Sequence, residues 1–128
     1  MAAKKILLVD DDDALVEAYR TVLESAGYAV ETAPDSKAGL AAAQKSPPDL
    51  IVLDVMMESA TAGIDLARKL RSDAKLARTR LLMITSVSQK TGVDVGSSAG
   101  EEFLPVDTFL EKPVDPRRLI EEAKALLG

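Results

Sequence analysis

The chain has 128 residues, 47% apolar and 29% charged, a length and balance that suit one globular domain. It has no Cys and no His, which excludes disulfides, thiolate or imidazole metal sites, a Ser-His-Asp triad and phosphoryl donation from histidine. The net charge of −5 disfavours nonspecific nucleic-acid binding, and no apolar run approaches the ~20 residues of a membrane span.

In chain order, Lys4–Val9 is a short branched apolar run that suits a buried strand. Asp10, Asp11, Asp12 and Asp13 end it, and they concentrate the acidity near the start. Residues 1–64 carry 5 basic and 11 acidic side chains (−6), whereas residues 65–128 carry 11 and 10 (+1). Leu15, Ala18, Val22 and Ala26 recur at helical spacing, with Asp12 or Asp13 as N-cap and Gly27 as the stop. Tyr28–Thr32 reads as a second strand, and Asp35 caps a helix over Ser36–Lys45 that Ser46-Pro47-Pro48 breaks. Leu50–Leu53 is a third strand ending at Asp54. Ile64–Leu70 is helical, and Leu81–Ile84 is a fourth strand ending at Thr85. Thr108–Leu110 is a weak fifth strand before Lys112-Pro113. Leu119, Ile120, Ala123 and Leu127 give a closing helix capped by Asp115, with Pro116 in its first turn.

Strands alternating with helices imply a three-layer, doubly wound α/β domain with a five-stranded parallel sheet, spanning 1–128 without a linker or repeat. Ser86–Asp107 fits least. It holds Gly92, Gly96 and Gly100 but no clear apolar stripe, so the fourth crossover is expected to be short or irregular.

Ligands of doubly wound sheets bind at the carboxyl ends of the strands. Here those ends carry Asp10 and Asp11, Asp54, Thr85 and Lys112. Carboxylates gathered in one crevice repel by about 4 kcal/mol per pair at ~4 Å and an effective dielectric near 20. A hard divalent cation such as Mg²⁺ or Mn²⁺ relieves that repulsion. A carboxylate beside it can attack a phosphoryl group, while a lysine and a hydroxyl bind the phosphoryl oxygens.

Over essentially its whole length the chain resembles the receiver (CheY-like) domain of two-component response regulators. The resemblance rests on Ile6-Leu7-Leu8-Val9-Asp10-Asp11, Asp49-Leu50-Ile51-Val52-Leu53-Asp54, Met83-Ile84-Thr85-Ser86 and Glu111-Lys112-Pro113, in order and at compatible spacing. It implies a flavodoxin-like strand order of 2-1-3-4-5. It implies Asp54 as the phosphoacceptor, and Mg²⁺ held by Asp10, Asp11, Asp54 and the backbone carbonyl of Met56. Thr85 would be the switch hydroxyl, Lys112 the phosphate-binding ammonium, aimed inward through a cis peptide to Pro113, and Phe109 the switch aromatic. Met56 and Val87 would flank the water path to the acyl phosphate. Neither side chain can orient water by hydrogen bonding, so slow self-dephosphorylation is expected. The phosphoryl donor would be a histidine kinase or phosphotransfer protein. No effector domain follows Gly128, so output is expected through contacts with a downstream protein, from a cytoplasmic monomer or a phosphorylation-dependent dimer.

Two features depart from the family pattern. Glu58 and Ala62 stand where a proline and a glycine are usual, with Gly63 one residue late, so the loop after Asp54 is expected to be longer. Thr85 and Lys112 are 27 residues apart, several more than usual, so the output face formed by the family's fourth helix, fifth strand and fifth helix is expected to differ.

The same residues also admit blander and competing readings. Asp12 and Asp13 read as caps or solvated surface, and Phe109 as plain core. Arg68, Lys69, Arg71, Lys75, Arg78 and Arg80 read as a solvated basic face. A phosphorylation-independent interaction module with the same fold is one alternative. A haloacid-dehalogenase-like phosphatase with Asp10 as nucleophile and Asp12 as acid/base is another, which the short chain disfavours. A flavodoxin is disfavoured because four Asp after the first strand would repel a phosphate.

Overall fold

The computed structural model describes residues 3–55, 62–85 and 106–127. Five strands, β1 (Lys5–Val9), β2 (Ala29–Ala33), β3 (Leu50–Asp54), β4 (Arg80–Thr85) and β5 (Thr108–Glu111), form one sheet in the order β2-β1-β3-β4-β5. Every pairing is parallel. The described helices are α1 (Asp13–Ser25), α2 (Ser36–Lys45), α3 (Ala62–Ser72) and α4 (Pro116–Leu127). The expected fourth crossover falls almost wholly on residues 86–105, outside the described residues.

Both faces of the sheet are covered, which is why β1, β3 and β4 are apolar without alternation. Ile6, Leu8, Leu50, Val52, Leu82, Ile84 and Leu110 face α1 and α4. Leu7, Val9, Ile51, Leu53, Leu81 and Met83 face α2 and α3. The outer strand β2 is largely exposed; of its residues only Ala33 is buried.

The caps were legible. The Asp12 carboxylate accepts from the Ala14 and Leu15 amides and starts α1. Gly27 ends it at φ 98°, with its own amide bonded to the Glu24 carbonyl and the Tyr28 amide reaching back to Leu23. Asp35 accepts from the Ala38 amide at 2.7 Å, and Asp115 from the Arg117 amide at 2.8 Å.

Two expectations need correction. The buried stripe of α1 is Val16, Tyr19 and Leu23, one position on from the expected Leu15, Ala18 and Val22. Ala18 is exposed, and Leu15, Val22 and Ala26 are half-buried. The basic stretch is not uniformly solvated either. Arg71 donates to the Ala77 and Thr79 carbonyls and, at 2.8 Å, to Asp107. Asp107 also accepts from Arg80 at 3.3 Å and from the Leu81 amide at 2.8 Å. This cluster pins the start of β5 to the start of β4.

Candidate functional site

Register and alternation place the site. Leu8 and Val52 lie on the α1 face, so two residues on, Asp10 and Asp54 return to that same face at the carboxyl edge. Pairing of Val9 with Leu53 aligns the two strand ends. Asp10 and Asp54 are 5% and 4% exposed, whereas Asp11 is exposed. One carboxylate oxygen from each of the three lies within 4.8 Å of the others. The Asp12 amide donates to Asp10 Oδ1 at 3.0 Å, so the cap of α1 also orients a site carboxylate.

From β5, Lys112 reaches across to donate from Nζ to Asp54 Oδ2 at 2.7 Å. Its backbone amide donates to the Thr85 carbonyl at 2.7 Å, and its peptide to Pro113 is cis. Thr85 is buried at the end of β4, in register with Glu111. Phe109 is half-buried against the cluster on the α2 and α3 face. Met56, Glu58 and Val87 lie outside the described residues.

The electrostatics follow from this crowding. Burial raises the Asp10 carboxyl from 3.8 to about 6; the Asp12 amide opposes this, and the charges of Asp54 and Asp11 add to it. Burial also disfavours the charge on Lys112, but the hydrogen bond and charge of Asp54 outweigh that and raise its pKa. One ammonium among three carboxylates leaves the group net acidic. Its donors are all oxygen, with close spacing and one exposed member. Neighbouring ligands of an octahedral cation at ~2.1 Å lie about 3 Å apart, so modest closure would bring this set onto Mg²⁺ or Mn²⁺.

Gly63 is the functional neighbour that sequence reasoning undervalued. A Cβ there would lie 2.0 Å from the Asp54 carbonyl oxygen and 2.8 Å from the Val55 Cα. Its amide donates to the Val55 carbonyl at 2.9 Å. The first turn of α3 therefore rests directly on the backbone of Asp54, an approach only glycine permits. The signal in sequence was its position nine residues after Asp54.

The family model for the response regulator receiver domain matches residues 6–124. This chain belongs to that family. The receiver is 34% identical over 127 residues to the phosphate regulon transcriptional regulatory protein PhoB of Pseudomonas aeruginosa, covering 99% of this chain and 53% of that protein. It is 36% identical over 124 residues to the alkaline phosphatase synthesis transcriptional regulatory protein PhoP of Bacillus subtilis, covering 97% and 48%. It thus spans about half the length of these curated relatives. The solved chemotaxis response regulator CheY4 of Vibrio cholerae superposes with a TM-score of 0.85 at 29% identity, over 98% of this chain and 100% of that one. Receivers are signalling domains rather than enzymes of the ordinary turnover kind, and the strand order matches the flavodoxin-like expectation. The phosphatase reading loses its ground, and Asp12, its acid/base candidate, serves as the α1 cap. Among the described residues no helix is long and apolar enough to cross a membrane.

Proposed function

We propose that this receiver is a phosphorylation-controlled switch in which Asp54 is the phosphoacceptor. The observation that carries the reading is the convergence on one buried carboxylate. Asp54 is 4% exposed, paired to Lys112 at 2.7 Å, and within 4.8 Å of oxygens from Asp10 and Asp11. No other acidic group among the described residues combines an ammonium partner with two more carboxylates in this way.

In this reading an Asp54 oxygen forms a bond to phosphorus. The bond from phosphorus to the donor's histidine nitrogen, or to the acetate oxygen of acetyl phosphate, breaks, and the leaving group keeps the electron pair. A divalent cation held by Asp10, Asp11 and Asp54, with the Met56 carbonyl as a further ligand, would neutralise the carboxylates and the incoming charge when bound. Lys112 then exchanges its carboxylate partner for a phosphoryl oxygen, and Thr85 donates its hydroxyl to another. Because the Lys112 amide holds the Thr85 carbonyl, movement at either residue is shared by the ends of β4 and β5. Phe109 in β5 then follows that movement, which biases a surface toward one partner. A histidine kinase or phosphotransfer protein supplies the phosphoryl group, and output passes to a downstream protein. In the family the positions of Met56 and Val87 flank the water path, and because neither side chain can orient water, loss of the phosphoryl group is slow in this reading.

Intact-mass spectrometry after incubation with Mg²⁺ and acetyl phosphate tests the assignment. The expected result is one phosphoryl adduct, absent without Mg²⁺ and absent from Asp54→Asn. An adduct that persists in Asp54→Asn would reject the acceptor. Absence of an adduct, together with no binding of beryllofluoride, would favour a phosphorylation-independent binding module.

A further inference from the structure

Asp10, Asp11 and Asp12 join β1 to α1, and the three stand in different surroundings. Asp10 is buried, whereas Asp11 and Asp12 are exposed. The backbone of Asp10 is fixed from the β2 side, where its amide donates to the Ala33 carbonyl at 3.1 Å. Its side chain is fixed from the α1 side. Asp10 Oδ1 accepts from the Asp12 amide at 3.0 Å, which closes a turn over Asp11. Asp12 then repeats the device one step along the chain. Its Oδ1 accepts from the Ala14 and Leu15 amides, both at 3.1 Å. Asp12 itself is extended, at φ −93° and ψ 101°, and stands outside the helix. Its capping bonds therefore fix the torsions that aim its own amide back at Asp10. Two side-chain-to-backbone turns share residue 12, one ending in the helix and the other in a buried site carboxylate.

We propose that Asp12 is a positioning residue for the divalent cation: its cap on α1 fixes the amide that holds Asp10 Oδ1, so the affinity of the carboxylate set for Mg²⁺ depends on a side-chain oxygen outside that set. A carboxylate with one oxygen tied to an amide is already oriented, and an oriented ligand gives up less freedom when the cation arrives. The coupling runs both ways. A cation that holds Asp10 also holds the Asp12 amide, and through it the first turn of α1. The inference rests on Asp10, Asp11 and Asp54 holding the cation, as proposed above.

The test compares wild type, Asp12→Asn, Asp12→Ser, Asp12→Ala and Ala18→Gly by the Mg²⁺ dissociation constant from titration calorimetry, at a temperature where circular dichroism shows every variant folded. Asparagine and serine remove the charge but keep a capping oxygen; alanine removes both. Ala18→Gly weakens α1 at an exposed position in mid-helix without touching the cap. The expected result is a Kd raised roughly 3- to 10-fold in Asp12→Ala and within about twofold of wild type in the other three. That loss falls short of the roughly 10- to 100-fold typical of deleting a group that orients a ligand, because the Asp12 amide itself is kept. Equal weakening in all three Asp12 variants assigns the effect to charge and overturns the proposal. An Asp12→Ala Kd equal to wild type, or a loss shared by Ala18→Gly, overturns it too. In the reciprocal direction, Mg²⁺ should slow hydrogen exchange at the Ala14 and Leu15 amides in wild type and not in Asp12→Ala; exchange in wild type that ignores Mg²⁺ also counts against the coupling. A wild type that binds no Mg²⁺ rejects the cation site itself, a failure distinct from a wild type that binds it and an alanine variant that binds it equally well.

Discussion

The two ends of the sheet use the same kinds of residue to opposite effect. At the amino edge, Asp107 accepts from Arg71, Arg80 and the Leu81 amide, and Asp49 accepts from the Lys5 amide at 2.8 Å. Negative charge there is matched, donor by donor. At the carboxyl edge, among the described residues, three carboxylates converge and one ammonium, that of Lys112, pairs with Asp54. Burial there raises the Asp10 carboxyl to about 6. The first arrangement holds strands in register; the second gathers like charges whose repulsion a hard divalent cation would relieve. The contrast teaches that buried charge is structural where it is balanced and reactive where it is not.

The largest effect is expected where the reactive end depends on bare backbone. Gly63→Ala should destabilise by about 3 kcal/mol or more, because α3 must lift off Asp54 to seat a methyl group. Urea unfolding measures this, and an unchanged midpoint would mean that the helix start yields freely. At the balanced end, Asp107→Ala should cost about 2 kcal/mol by stripping the Leu81 amide and two guanidinium groups of their acceptor. Acetyl phosphate labelling should stay at the wild-type rate; a matching loss of labelling would join two ends that the comparison keeps apart.

Asp10→Asn should move stability in the other direction. The folded chain binds the Asp10 proton more tightly than the unfolded chain, about 6 against 3.8. That stabilisation is complete below about pH 4 and is lost as pH rises through about 6. In Mg²⁺-free buffer near pH 8 the asparagine variant should therefore exceed wild type by about 1–2 kcal/mol, and the gain should vanish near pH 4. Paired denaturant curves at the two pH values decide this, and a gain independent of pH would point to a cause other than the proton. The smallest effect is expected from Glu31→Ala, which removes an exposed ion pair to Lys5 at 2.9 Å. A change of about 0.5 kcal/mol or less would confirm that matched charge on the open surface contributes little.

The strands and their terminal residues were legible because parallel strands buried on both faces leave long apolar runs, and each run ended on a polar group. Asp10, Asp11, Asp54 and Lys112 could be read as one site because the topology brings strand ends together. Tyr19 escaped because α1 carries small or apolar residues at 14, 15, 16, 18 and 22, so two neighbouring stripes fit the helical period equally well. Packing against the sheet and α4 selects the stripe that contains the tyrosine. The Arg71–Asp107 pair joins residues 36 apart, a separation at which spacing carries no signal. Gly63 was visible only as an offset, since the clash that requires glycine involves backbone atoms of another element.

The exposed outer strand β2 has a consequence for behaviour at high concentration. An open strand edge is a template on which a second molecule can add by backbone hydrogen bonding. β2 is five residues long, carries Glu31 at its centre, and is followed at once by Pro34, which has no amide to donate. The partly buried side chain of Lys5 from the adjoining strand ties Glu31 down at that rim. A growing stack would have to accept a charge and a missing donor within six residues. This edge is therefore a poor template for a further strand.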